Sequence, residues 1–133
     1  MPTRPVPRPS DLELQVLSVL WRLGQATARQ VLGAMPDGKR RAYTTVLSVM
    51  QVMEKKGLLE RSTEGHAHRW RPAVTRRQVL GPLMRQLVRN VFGGSRAAAV
   101  QQLLGDADLD DAEITAIKSV LAERRRGQER KSK

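Results

Sequence analysis

A chain of 133 residues has room for one compact domain, or a small domain with an appendage. Its 24 Lys and Arg against 13 Asp and Glu leave a formal charge of +11, which calls for an anionic partner, nucleic acid first and an acidic membrane surface second. The absence of cysteine excludes disulfides, thiolate metal sites and thiol nucleophiles, and no apolar run approaches the roughly 20 residues of a membrane span.

The first nine residues, Met1 to Pro9, interleave proline with arginine and read as a disordered basic arm. They hold no apolar stretch of the kind a secretory signal needs, so a cytoplasmic protein is expected. Ser10 followed by Glu13 forms a capping box, and Leu14, Val16, Leu17, Leu20 and Trp21 then recur as a helical apolar stripe that Gly24 can end. Thr27 with Gln30 opens a second, short helix to about Met35, and Pro36-Asp37-Gly38 marks a turn. After Lys39-Arg40-Arg41, a third helix is predicted from Tyr43 to Lys56, with Val46, Val49, Met50 and Met53 inward and Gly57 as its stop.

The period then changes. Leu58–Ser62 and His66–Pro72 read as two strands of a hairpin joined by Thr63-Glu64-Gly65, with Trp70 turned to the core and Arg69 and Arg71 outward. Thr75 and Gln78 box a further helix, in which Pro82 is expected to cause a kink or a shifted start. Gly93-Gly94 breaks it, Ser95 caps a helix through Leu104, and Asp110 with Glu113 caps the last helix. Beyond about Arg124 the charge run reads as a disordered basic tail.

Three short helices followed by a hairpin is the order of a winged helix-turn-helix, so the expected fold is mainly α with a small β-hairpin. The predicted domains are residues 10–73, a DNA-binding unit, and residues 74–124, a helical dimerisation unit, flanked by the arm 1–9 and the tail 125–133. In such a fold the third helix enters the major groove. Its stripe leaves Thr44, Thr45, Ser48, Gln51 and Lys55 on the opposite face, where hydroxyls, an amide and an ammonium can bond base edges or phosphates. Tyr43 stands at the start of this helix. Arg40 and Arg41 before it, and Thr27 and Arg29 at the start of the preceding helix, are candidate phosphate contacts. The hairpin adds His66 and Arg69.

His66 and His68 share a strand face in this reading, but no cysteine or carboxylate pair completes a metal site. The cluster Asp106, Asp108, Asp110 and Asp111 is explained by helix capping and lacks the glycine and glutamate of a calcium loop. No catalytic constellation and no phosphate-cradling glycine loop occur, so neither an enzyme, a metal nor a cofactor is expected.

The segment Ala42-Tyr43-Thr44-Thr45-Val46-Leu47-Ser48-Val49-Met50-Gln51, with Glu54-Lys55-Lys56-Gly57-Leu58-Leu59, resembles the penicillinase-repressor family, the BlaI/MecI group of winged-helix transcriptional regulators. Glu13 to Trp21, Thr27 to Val31 and Gly65 to Pro72 carry the same likeness, which covers about residues 10–124. The resemblance implies a dimeric repressor of dyad-symmetric operators, often of β-lactam-resistance genes, with groove contacts from Thr44, Thr45, Ser48 and Gln51 and a wing contact near Arg69. Val52 departs from the Arg or Lys often found at its position. The bond cleaved in some members aligns near Gln102-Leu103 instead of an Asn-Phe pair, so an inactivating protease is not implied. The cysteine cluster of copper-sensing relatives is missing.

Leu83, Leu87, Val91, Phe92, Val100, Leu103, Leu104, Ile114, Ile117 and Leu121 lie on helices too few and short to bury them alone. A homodimer would cover them, and its two-fold axis would match an operator dyad. The alternatives are an architectural protein coating DNA through charge alone, or a basic module that binds a protein or an acidic membrane surface.

Overall fold

The computed structural model describes residues 6–105 and 108–131. Helices α1 (Asp11–Leu23), α2 (Ala28–Gly33) and α3 (Tyr43–Lys55) are followed by strands β1 (Leu59–Glu64) and β2 (Ala67–Pro72), then by α4 (Arg76–Val91), α5 (Arg96–Gly105) and α6 (Asp111–Lys131). Two compact units result, divided between Leu87 and Val88, inside α4. The sequence reading places the change at Val74. The difference arises because Val79 is buried in the first unit's core, and Leu80 and Leu83 pack against it.

Local chemistry sets the helix starts. Ser10 and Glu13 exchange both bonds of the capping box, at 2.8 and 3.2 Å, as do Thr27 with Gln30 and Thr75 with Gln78. Ser95 and Asp110 accept from the N–H groups of Ala98 and Glu113. Each cap satisfies donors that the first helical turn leaves without a partner.

The first unit closes on a core of Val16, Leu17 and Leu20 from α1, Val31 from α2, and Val46, Met50 and Met53 from α3, with Leu58, Leu59 and Trp70 from the hairpin. The strands pair antiparallel with Leu59 opposite Pro72 and Glu64 opposite Ala67. The turn is thus Gly65-His66, with Gly65 at φ +65° in its first central position, as a type II′ turn requires. β1 ends two residues further on than the sequence predicts, and His66 lies in the turn and not on a strand, so the two histidines do not share a strand face.

A further pairing is absent from any periodicity. Ala26, between α1 and α2, bridges to Trp70, with N–H to O distances of 2.9 and 2.8 Å in the two directions. It adds a one-residue third strand that holds the entrance of α2 against the hairpin.

The termini also differ from expectation. Residues 1–5 of the predicted arm lie outside the described residues; of the remainder, Val6 packs against the core and Pro9 is buried. α6 continues through the basic run to Lys131 instead of ending near Arg124. Arg, Glu, Gln and Lys are strong helix formers, and Arg125 sits 3.7 Å from Glu129 one turn on. α4 is likewise unbroken through Pro82.

The second unit, from Val88, has no buried residue in α5 or α6. Phe92, Ile114 and Ile117 are half-buried, while Val91, Leu103, Val120 and Leu121 are each more than 60% exposed.

Glu13 is the buried acid of the first unit's core. Burial pushes its pKa up, but the Ser10 backbone N–H and the Lys56 ammonium, 3.0 Å away, outweigh this and hold it below its ordinary value. The resulting stabilisation is complete above roughly pH 4.3, the usual glutamate value, and fades as pH falls through the lowered one. Glu13→Ala is expected to reduce the unfolding free energy at neutral pH by roughly 1–2 kcal/mol in urea titration, most of it from the cap because Lys56 is partly solvated. Glu13→Gln, which cannot ionise, should flatten the loss of stability between about pH 5 and 3.

Candidate nucleic-acid interface

The core stripe of α3 determines what the helix shows to solvent. With Val46, Met50 and Met53 inward, Thr44, Thr45, Ser48, Gln51 and Lys55 are all exposed, as the sequence predicts. No described segment of the first unit covers them. Val52 joins the same face at 47% exposure.

α3 begins without a side-chain cap. Its N-cap residue is Ala42 and its first turn holds no acid, so among the described residues no side chain caps its leading N–H groups. Such an end suits a phosphate. Arg29 of α2 stacks over Tyr43 at 4.9 Å, which places a guanidinium beside this helix start.

Between α2, α3 and the hairpin lies a cleft of about 460 Å³. Thr27, Arg29, Tyr43 and Gln51 form one side, Arg61, His66 and His68 the other, and Leu47, Ala67 and Trp70 complete the lining. The cleft therefore joins Thr27, Arg29, Tyr43, Gln51 and His66 from three separate segments of the predicted set. The Thr27 hydroxyl accepts from the Gln30 N–H in the cap, which leaves its own O–H free to donate.

Arg61 and His68 were not predicted. Arg61 stands on β1 over the Trp70 ring at 5.6 Å and 3.6 Å from Glu54. His68 Nδ1 lies 3.0 Å from the Thr63 hydroxyl, across the strand pair. The signal for both was present in the strand alternation, which puts odd and even residues on opposite faces, but only the correct turn reveals which face is which.

Arg41 differs most from its predicted role. Both guanidinium arms engage Asp37, at 2.9 and 2.6 Å, and its side chain is 15% exposed. That guanidinium, with the Lys39 backbone N–H, holds the Asp37 carboxyl far below its usual range. Arg41 thus braces the turn before α3, and Arg40, exposed and without an ion pair, is the cation offered there. Arg69 is half-buried opposite Ser62 in the hairpin.

The pairing of acids decides where positive charge is left over. Glu13, Asp37, Glu54 and Glu60 meet Lys56, Arg41, Arg61 and Arg71. Arg29, Lys39, Arg40 and Lys55, in α2, α3 or the segment that joins them, form no ion pair among the described residues; nor do Arg22, Arg77 and Arg85, which lie elsewhere in the first unit. Among the described residues no group of three or more metal-ligating side chains occurs, and no helix is long and apolar enough to cross a membrane.

Comparison with known proteins matches this arrangement to one family. The penicillinase repressor profile covers residues 9–123. The transcriptional regulator BlaI of Mycobacterium tuberculosis is 36% identical over 118 residues, 87% of this chain and 84% of that protein. The penicillinase repressor of Bacillus licheniformis is 21% identical over 118 residues, 89% of this chain and 92% of that protein. Among solved structures, the DNA-binding domain of the repressor BlaI gives a TM-score of 0.49 at 22% identity, covering 57% of this chain and 93% of that one. The monomeric form of Bacillus licheniformis BlaI in complex with the blaP half-operator gives 0.48 at 23%, covering 55% and 89%. A profile match over nearly the whole chain, on a fold whose third helix turns an uncovered polar face to solvent, establishes that the chain belongs to the penicillinase repressor family of DNA-binding transcriptional regulators, which are not enzymes.

Proposed function

We propose that this repressor reads a dyad-symmetric operator as a cytoplasmic homodimer, with α3 in the major groove and the hairpin against the adjacent backbone. The observation that carries the reading is the outward face of α3, where Thr44, Thr45, Ser48 and Gln51 are exposed together, bordered by the cations that have no acid to pair with. A helix designed only for solubility would set Glu against Lys at four-residue spacing there. Gln51 is the residue fitted to a bidentate contact with adenine, whereas the hydroxyls accept or donate at either kind of pair. The name of the Bacillus licheniformis relative supports genes of β-lactam resistance as targets.

The dimer reading rests on the second unit. A helical appendage of under 50 residues without a buried core is not stable alone. Leu87, Val91, Val100, Leu103, Leu104 and Leu121 are exposed in the single chain, and Phe92, Ile114 and Ile117 are half-covered. Met84 and Val120, at 58% and 65% exposure, extend the predicted set. Leu83 leaves it, because it packs against the first unit's core.

Three outcomes test this reading. In titrations at physiological salt, a palindromic promoter fragment should bind far more tightly than a scrambled one, and Gln51→Ala should cut that preference by about 1–3 kcal/mol. Equal affinity for both fragments would leave only charge-driven coating of DNA. Arg40→Ala should weaken every sequence alike and reduce the salt slope by about one counterion. Finally, the chain should sediment as a dimer at micromolar concentration, and Leu103→Glu with Leu121→Glu should yield a monomer that has lost its tight operator binding.

A further inference from the structure

Val52 breaks the chemistry of the α3 face. Its neighbours there bear hydroxyls, an amide and an ammonium, yet Val52 is 47% exposed and carries only methyl groups. It lies one helical turn beyond Ser48 and two beyond Thr44, at the edge of the exposed face next to Val49. Beside it, Ser48, Val49, Glu13 and Lys56 border a shallow depression of about 270 Å³. Lys56 is committed to Glu13 across that depression, at 3.0 Å, so no free cation fills it. The result is a small apolar spot set in a polar reading surface.

We propose that Val52 reads the C5-methyl group of a thymine in the operator's major groove. The proposal rests on α3 being the helix that enters that groove. Thymine is the one ordinary base that presents an apolar substituent there; guanine, adenine and cytosine present acceptors and donors. A valine cannot bond those groups, and covering the cytosine or adenine amine with it would strand a donor away from water. Against thymine the same contact removes methyl surface from water on both sides. Gln51, on the other flank of the face, supplies hydrogen bonds that Val52 cannot, so consecutive residues would divide polar and apolar reading between neighbouring base pairs.

The test begins with selection of the operator from random duplexes by the full-length chain. Each thymine of that operator is then replaced by deoxyuridine, which removes only the methyl group. At one position in each half-site the wild-type affinity should fall by about three- to tenfold, the scale of burying one methyl. Val52→Ala should cause a similar loss on the thymine duplex and no further loss on the matching deoxyuridine duplex. Because Val52 is exposed, its thermal midpoint should match that of the parent chain. Equal losses for Val52→Ala on thymine and deoxyuridine at every position would overturn the inference while leaving the repressor reading intact. So would an operator in which no thymine methyl matters. A chain that selects no sequence would overturn both.

Discussion

Much of the first unit depends on Trp70 and the backbone on either side of it. The indole is buried in the core, and the backbone N–H and carbonyl of Trp70 pair with those of Ala26. One residue thus supplies core volume and also ties the start of α2 to β2. Since α2 delivers Thr27 and Arg29 and β2 follows the turn that delivers His66, the two walls of the cleft are set against each other through this position. Arg61 lies over the same ring, so the side chain that lines the cleft also covers the core.

Electrostatics then sorts a basic chain into structural and available charge. Two of these pairs brace the motif: Glu13 clasps Lys56 between the start of α1 and the end of α3, and Asp37 clasps Arg41 ahead of α3. Both pairs fix the orientation of one helix, each from a different end. Lys56 and Arg41 are thereby neutralised, whereas Arg29, Lys39, Arg40 and Lys55 form no ion pair among the described residues. Repulsion among these cations disfavours the free state, and phosphates relieve it, which gives binding a component independent of sequence. In the proposed reading, hydroxyl, amide and methyl groups on α3 would distinguish one site from another.

What could be read in the sequence follows the range of each interaction. Ser10, Thr27, Thr75, Ser95 and Asp110 were legible as caps because donor and acceptor lie within three residues. The polar face of α3 was legible because a helical period fixes both faces at once. The Ala26–Trp70 bridge spans 44 residues and involves one residue of a strand, too short for any alternation to show. Arg41 looked like a phosphate contact because its charge is evident and its tether is not: only the folded turn brings Asp37 onto it. The hairpin was shifted because Thr63-Glu64-Gly65 has turn composition, while strand pairing extends to Glu64 and leaves Gly65-His66 to reverse the chain. The basic run after Arg124 was misjudged for the opposite reason, since charge density suggested disorder where helix propensity and the Arg125–Glu129 pair favour order.

The contrast between the two units bears on how the repressor reading would work as a whole. The first unit satisfies its own core and leaves polar groups uncovered; the second covers its few polar needs and leaves apolar groups uncovered. A surface of short side chains on a 13-residue helix offers few contacts per subunit, too few for tight and selective binding by one copy. In the proposed dimer, joining two copies through the exposed leucines and valines would make the second half-site an intramolecular event, so that modest contacts would multiply in effect. The weak reading face and the incomplete helical unit are in this sense one feature: each would be a defect in a monomer, and together they are what a protein that reads a repeated site requires.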